Sequence, residues 1–151
     1  MRLTLAAAGR WKRGPLPELF DAYARRLTWP LELKEVAAKK PLEGAELARA
    51  EAELLLAQIP REAVVVALDA GGRALSSQAF ADQLGAWRDG GARELAFLIG
   101  GADGLAPEVL QRADLRLSLG PMTWPHLLVR VLLAEQLYRA QAILQGHPYH
   151  R

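Results

Sequence analysis

The sequence contains no cysteine among its 151 residues. This absence excludes a disulfide framework, a thiolate metal site and a cysteine nucleophile, and it is typical of a protein in a reducing compartment. No apolar run reaches membrane-spanning length. Residues 3–8 are too short for the apolar core of a signal peptide, and the basic run Arg10, Lys12 and Arg13 follows them instead of preceding them. We therefore expect a cytoplasmic protein with no membrane partner.

Several motifs that would carry chemistry are also missing. The three histidines, His126, His147 and His150, lack metal-ligand spacing, and no set of Asp or Glu residues joins them, so we expect no bound metal. There is neither a P-loop nor a G-x-S-x-G nucleophile elbow. The run IGGADG departs from the G-x-G-x-x-G fingerprint, which argues against a Rossmann dinucleotide site.

Positive charge is concentrated in the amino-terminal third. The formal net charge of the whole chain is only +2. Residues 1–41, however, contain nine Arg or Lys residues against four Asp or Glu, and arginine outnumbers lysine fifteen to four in the whole chain. A basic region rich in arginine favours a polyanionic partner, because guanidinium groups bind phosphates in bidentate fashion and stack on bases. A solvated surface encoded by an arginine-biased genome is the alternative that composition leaves open.

Strand and helix patterns alternate along the whole chain. Strands are predicted at residues 2–8, 31–36, 63–68, 94–99 and 115–119, and helices at residues 16–27, 42–59, 76–87, 107–112 and 126–145. A turn is expected at residues 69–72, and Ser76 or Ser77 can cap the third helix. This alternation predicts an α/β fold with an open, mostly parallel sheet and helices on both faces, within a single domain over residues 1–151.

The last predicted helix is apolar on more than one face. Such a helix is buried on two sides. One side can be the chain's own sheet, and the other is then most simply a second copy of the protein. The alternative is a central helix within a monomer. Gly146 and Pro148 are expected to end this helix.

A ligand site is expected at one edge of the sheet. Ligands of open α/β sheets bind outside the carboxyl ends of the strands. Three loops rich in glycine or proline leave strand ends there, after Leu68, Ile99 and Leu119. The glycines would let a ligand approach the backbone, although tight β-to-α turns would also explain them.

Three sequence runs resemble one family. They are LDAGGRALSSQAFA from Leu68, FLIGGADGL from Phe97, and LSLGPMTWPHLLVRVLLAEQLYRAQAILQGHPYHR at the carboxyl end. They resemble the ribosomal large-subunit pseudouridine methyltransferase H (RlmH) family of the SPOUT superfamily. The likeness covers essentially the whole chain, and the carboxyl-terminal run is its most specific part. The chain departs from typical members at Gly120-Pro121, where other small residues are common.

The resemblance implies a SPOUT-type fold with a carboxyl-terminal trefoil knot, a homodimer, and S-adenosyl-L-methionine as cofactor. Carried over residue by residue, the implied cofactor-binding residues are Leu68, Gly100, Leu119, Gly120, Pro121, Met122, Thr123 and Trp124. These residues belong to the three loops selected above from their glycine and proline content.

The resemblance also implies methyl transfer to N3 of a pseudouridine in large-subunit (23S) ribosomal RNA on assembled ribosomes. The candidate catalytic residues, one of which could assist loss of the N3 proton, are His126, Arg139, Tyr149 and His150. We hypothesise that Tyr149 and His150 complete the site of a partner protomer. Loop packing is the alternative for His126, and an i,i+4 ion pair with Glu135 is the alternative for Arg139.

No separate RNA-binding domain is visible, so RNA contacts are expected on the surface of the domain itself. The candidates are Arg10, Trp11, Lys12, Arg13 and the cluster Lys34, Lys39 and Lys40. An aromatic ring among cations can stack on a base, although an ordinary loop anchor is the commoner role. Two other functions stay open: methylation of another RNA, and a non-enzymatic ribosome-binding factor.

Overall fold

A computed structural model describes residues 1–151, and its centre is a five-stranded parallel sheet. The strands are β1 (Arg2–Ala8), β2 (Leu31–Val36), β3 (Val64–Ala74), β4 (Glu94–Ile99) and β5 (Leu115–Ser118). Their spatial order is β2-β1-β4-β3-β5, and every neighbouring pair is parallel. The predicted sheet and its five strands are confirmed.

Five helices cover both faces of the sheet. They are α1 (Pro15–Ala24), α2 (Gly44–Ala57), α3 (Ser77–Asp89), α4 (Pro107–Arg112) and α5 (His126–Leu144). The first, third and fifth helices share one apolar core, and the second and fourth share the core on the opposite face. Successive side chains of a strand point to opposite faces, so two covered faces require the continuous apolar runs of β3 and β4. None of the five helices is both long and apolar enough to cross a membrane.

Side-chain hydrogen bonds lie at the end of the first helix and at the start of the third. The helix expected over residues 16–27 ends at Ala24, and Thr28 beyond it donates its backbone N–H to the Gln141 side chain at 2.7 Å. Ser76 caps α3, since its Oγ accepts the backbone N–H of Ala79 at 3.0 Å. The cap predicted at Ser76 or Ser77 therefore belongs to Ser76.

The turn predicted at residues 69–72 is wrong, because β3 continues through it. Leu68 and Arg73 both pair with Leu117 of β5, so the residues between them form a bulge. Gly72 makes this close pairing possible: a Cβ atom there would lie 2.5 Å from the Arg116 carbonyl oxygen. Sequence patterns predict where a strand is interrupted, but only the neighbouring strand decides whether pairing resumes.

The last helix is covered on its flanks by its own chain. Helix α5 packs against the sheet and between α1 and α3, and none of its residues is fully exposed. Its buried residues include Arg130 and Gln141, which the apolar pattern did not indicate. Leu128 and Leu132 are only partly buried and line an open, mostly apolar groove, so the chain's own packing covers part of the two-sided apolar pattern. The homodimer and the monomer alternative both stay predictions.

Candidate functional site

A cavity of about 250 Å³ lies where the bulge of β3 meets the carboxyl ends of β4 and β5. We call it the strand-end cavity. Seven of the eight residues predicted to bind a cofactor line it, namely Leu68, Gly100, Leu119, Gly120, Met122, Thr123 and Trp124. Pro121 is exposed and is not part of the lining. The fold thus brings together three loops that are separated in sequence.

The lining also includes residues that sequence reasoning missed. These are Asp69, Ala70, Ile99, Gly101, Ala102, Gly104, Leu117 and Val129. Most are immediate neighbours of predicted residues, and adjacency was the only available signal for them. Asp69 is the acidic member, and its carboxylate gives the cavity a polar wall that the apolar prediction lacked.

The Gly100–Gly104 loop is folded tightly on itself at the cavity wall. Gly104 donates its backbone N–H to the Gly101 carbonyl at 3.0 Å, and the two residues form an antiparallel bridge. A Cβ atom on Gly100 would lie 2.6 Å from the Gly104 carbonyl oxygen. The glycines therefore make a tight turn, as the structural alternative held, and they also leave backbone exposed to the cavity.

Glu51 of α2, on the face of the sheet that α2 shares with α4, packs its carboxylate against Gly101 of this loop. Its side chain is only 7% exposed, and its Oε1 atom has no hydrogen-bond partner. Burial raises the pKa of Glu51, the Gly101 backbone N–H lowers it, and Asp103 raises it further. A Cβ atom on Gly101 would lie 3.0 Å from Glu51 Oε2, so the carboxylate packs closely against the Gly101 backbone.

The loop after β5 forms one wall of the strand-end cavity, and hydrogen bonds within the loop hold it in place. Gly120 has a φ of +104°, which favours glycine, and it donates its backbone N–H to Ser118 Oγ at 3.1 Å. The indole Nε1 of Trp124 donates to the Leu119 carbonyl at 3.4 Å. Met122 and Trp124 are 71% and 40% exposed, respectively. Two large apolar side chains beside a cavity provide surface that a bound ligand could cover.

His126 lies on the strand-end cavity at the first position of α5. Its Nε2 atom would be 3.5 Å from a Cβ atom on Gly9, so the ring also packs against the β1 end. Burial lowers the pKa of His126, and the positive charge of Arg130 lowers it further. The imidazole is therefore neutral at neutral pH and keeps one ring nitrogen able to accept a proton.

The other three predicted catalytic residues form one cluster. Glu135 Oε1 accepts from Arg139 Nη2 at 2.6 Å and from the Tyr149 hydroxyl at 3.0 Å. Arg139 Nη1 lies 3.0 Å from His150 Nδ1, and its guanidinium lies 4.9 Å from the Tyr149 ring centre. The i,i+4 ion pair expected between Glu135 and Arg139 is present. In this structure the carboxyl-terminal tail folds onto α5 of its own chain.

The Tyr149 hydroxyl is held in its neutral form. Burial, hydrogen bonds with Tyr23 and Glu135, and their negative charge together raise the pKa of Tyr149 to about 12. Arg139 stays positively charged, since its hydrogen bond to Glu135 raises its pKa. The cluster therefore presents a fixed cation beside a phenolic hydroxyl group.

The tail cluster and the strand-end cavity open onto a shared surface. A groove of about 720 Å³ is lined by Glu135, Arg139 and Tyr149. Leu119, Gly120 and Trp124 line both this groove and the strand-end cavity. A ligand in the cavity and a second reactant in the groove would therefore meet across the loop after β5.

The basic loop, residues 9–14, joins β1 to α1. Its Arg10, Lys12 and Arg13 are exposed. Trp11 is half-buried, with the Arg130 guanidinium 4.6 Å from its ring centre and the Phe20 ring edge-on at 5.5 Å. Trp11 anchors the loop, as the alternative for this residue held, and the three cations are the groups it presents to solvent.

Lys34, Lys39 and Lys40 are the remaining residues predicted to contact RNA. Lys34 donates to the Gln58 carbonyl at 3.3 Å, whereas Lys39 and Lys40 belong to the segment before α2. No group of three or more His, Asp or Glu side chains is arranged to hold a metal ion. The expected absence of a metal stays a prediction.

Comparison with known proteins identifies relatives over the full length. The protein-family model "Predicted SPOUT methyltransferase" matches residues 1–150. The ribosomal RNA large subunit methyltransferase H of Rhodospirillum centenum is 62% identical over 151 residues, covering all of this chain and 99% of that protein.

Two solved structures share the fold. A probable methylase family protein from Haemophilus influenzae Rd KW20 superposes with a TM-score of 0.58 at 11% identity, covering 99% of this chain and 70% of that one. The SpoU methyltransferase AviRb from Streptomyces viridochromogenes, in complex with the cofactor AdoMet, gives 0.51 at 12% identity, covering 93% and 58%. Together with the full-length matches, this places the chain in the SPOUT methyltransferases, within the ribosomal RNA large subunit methyltransferase H family.

Proposed function

We propose that this chain transfers a methyl group from S-adenosyl-L-methionine to N3 of a pseudouridine in 23S ribosomal RNA. It acts in the cytoplasm on assembled ribosomes, as a homodimer of one SPOUT domain over residues 1–151 with a carboxyl-terminal trefoil knot. The observation that carries the proposal is the strand-end cavity, lined by seven of the eight residues named for the cofactor. The full-length identity of 62% to a ribosomal RNA methyltransferase supports the substrate class.

The strand-end cavity fits this cofactor in its chemistry. Leu68, Met122 and Trp124 supply apolar walls for adenine and the methionine chain. The backbone of residues 120–123 can bond the adenine edge, and Gly100 permits the tight turn of the loop that forms the adjacent wall. When bound, the cofactor supplies an activated methyl group on a sulfonium. The protein therefore has mainly to position both reactants and exclude water.

Removal of the N3 proton is assigned to the groups around the shared groove. Arg139 is a fixed cation there, and its charge favours the ionised form of a bound base. Tyr149 is neutral and donates its hydroxyl hydrogen to Glu135, so its hydroxyl oxygen can accept a hydrogen bond from the base. His126, neutral beside the cavity, can accept a proton. In the homodimer, Tyr149 and His150 of one protomer would complete the site of its partner.

RNA binding is assigned to the exposed cations of the basic loop. Arg10, Lys12 and Arg13 carry no ion pair within the chain. Neutralising phosphates releases counterions from RNA, so binding should weaken steeply with added salt. Trp11 supports these cations through its packing against Phe20.

The proposal is tested by methyl transfer from labelled S-adenosylmethionine to ribosomes that lack the modification. Naked 23S RNA is assayed in parallel, and the labelled nucleotide is mapped. We expect label at one pseudouridine in assembled ribosomes and little in naked RNA. Label in another RNA would show that this other RNA is the substrate. Absence of both label and cofactor binding would favour a ribosome-binding factor without catalytic activity.

A further inference from the structure

Arg130 is a completely buried arginine on α5, one helical turn after His126. Removing a guanidinium from water is costly unless the charge is paired and hydrogen-bonded. Its location in the interior therefore requires specific partners. Those partners come from the ends of two strands and from the basic loop.

The guanidinium ties α5 to the carboxyl ends of β1 and β2. Its Nη1 atom donates to Glu35 Oε2 at 2.6 Å. Its Nη2 atom donates to the carbonyls of Ala8 and Gly9 at 3.2 and 3.0 Å. These three bonds use the planar fork of arginine, which a lysine ammonium cannot reproduce.

The same two side chains hold the basic loop. Glu35 Oε2 also accepts the backbone N–H of Trp11 at 2.9 Å. The Arg130 guanidinium lies 4.6 Å from the centre of the Trp11 ring, a distance typical of a cation–π contact. The loop is thus fixed at Gly9 and at Trp11, on either side of Arg10 and next to Lys12.

On its other side, this network reaches the strand-end cavity. His126 lines the cavity and its ring packs against Gly9, the residue whose carbonyl Arg130 binds. The loop that precedes His126 supplies Gly120 and Trp124 to the cavity wall. A single buried cation therefore connects the exposed cations of the basic loop to the wall of the cavity.

We propose that Arg130, acting through Glu35 and Trp11, is a positioning residue that sets the basic loop relative to the strand-end cavity. Phosphates bound by Arg10, Lys12 and Arg13 then place the target nucleotide at a defined distance from the methyl donor. The inference rests on the proposed function. Arg130 would affect the position of the bound RNA relative to the cofactor without contacting either reactant.

The test compares two substitutions of Glu35 with wild-type protein. Glu35→Gln keeps an oxygen that can accept from both Arg130 and Trp11, whereas Glu35→Ala removes it and leaves Arg130 unpaired. The measurements are kcat and KM for ribosomes, and Kd for S-adenosylmethionine by calorimetry. We expect Glu35→Ala to lower kcat/KM for ribosomes about tenfold or more, with Kd for the cofactor within about twofold. Glu35→Gln should retain most of the wild-type kcat/KM for ribosomes.

A second variant covers the case in which Glu35→Ala does not fold. Trp11→Leu keeps apolar packing on Phe20 but removes the ring under the guanidinium, and it should also lower kcat/KM for ribosomes. The dependence of rRNA binding on salt should become less steep in either variant, because a displaced loop reaches fewer phosphates. Asp89→Ala breaks an exposed ion pair on α3 with Arg88 and serves as the control.

Three outcomes would overturn the inference: unchanged kcat/KM in the folded variants, equal loss of cofactor and ribosome affinity, or no recovery in Glu35→Gln. A wild-type protein that binds the cofactor and rRNA but transfers no methyl group would instead refute the proposed function. In that case the salt dependence of rRNA binding still tests the positioning of the basic loop. The two failures are therefore distinguishable.

Discussion

Replacing Gly100 with alanine tests whether the strand-end cavity binds the cofactor. The new Cβ atom would lie 2.6 Å from the Gly104 carbonyl oxygen, 2.7 Å from its carbon and 3.1 Å from the Leu105 nitrogen. All three are backbone atoms that cannot rotate away, so the loop itself must shift. Overpacking of this kind costs about 1–3 kcal/mol. If the bound state requires the native loop, the cofactor Kd should rise about tenfold to a hundredfold.

The assay is calorimetric titration with S-adenosylmethionine, with circular dichroism to establish that the variant is folded. Gly71→Ala is the matched control, because its Cβ atom would meet only Asp69 Oδ2, at an ordinary 3.6 Å. Gly71 belongs to the bulge of β3 but not to the cavity lining. The control should therefore bind the cofactor with nearly wild-type affinity.

Two results would refute this reasoning. A folded Gly100→Ala protein with wild-type affinity would mean that the Gly100–Gly104 loop is not part of the cofactor site. Equal losses in Gly100→Ala and Gly71→Ala would mean that affinity depends on general rigidity of the sheet edge, and the distance of 2.6 Å would then have no specific consequence.

Two further predictions concern titrating groups. The pKa of Tyr149 is raised to about 12, so its contribution to stability is present below about pH 10 and is lost as pH rises through 12. Absorbance titration of tyrosinate should show a late step that Tyr149→Phe removes, and an unchanged titration would contradict the hydrogen bond to Glu135. The pKa of His126 is lowered by burial and by Arg130, so its neutral form stabilises the fold above about pH 6.5, and this contribution is lost on acidification. NMR titration of its ring should give a midpoint below that value, and a midpoint at or above it would show that the ring is more exposed than the structure indicates.

Much of the architecture was predictable because its causes are local. The strands β1, β2 and β4 and the helix α4 have the bounds that their apolar patterns and neighbouring turns predict. The meeting of the loops after Leu68, Ile99 and Leu119 at one cavity was also predictable, since parallel strands bring their carboxyl ends to one edge. Family resemblance then selected individual residues within those loops.

Other features depend on partners that are distant in sequence. The continuation of β3 past Gly72 requires β5 beside it, and nothing in residues 69–72 alone indicates that pairing resumes. Trp11 contacts Arg130, 119 positions later in the chain, and no local pattern indicates that contact. A pattern of apolar residues cannot indicate which neighbour will cover a given side chain.

Local sequence patterns were sufficient to predict the alternation of strands and helices, the two covered faces of the sheet and the glycine-rich loops at its carboxyl edge. Hydrophobic periodicity and backbone freedom act over a few residues, so each can be read locally. The strand order β2-β1-β4-β3-β5, the packing of α5 against α1 and α3, and the burial of Arg130 against Glu35 became evident from the folded chain alone. These depend on which distant segments meet, because a buried charge is stabilised only by partners that the completed fold brings within hydrogen-bond distance.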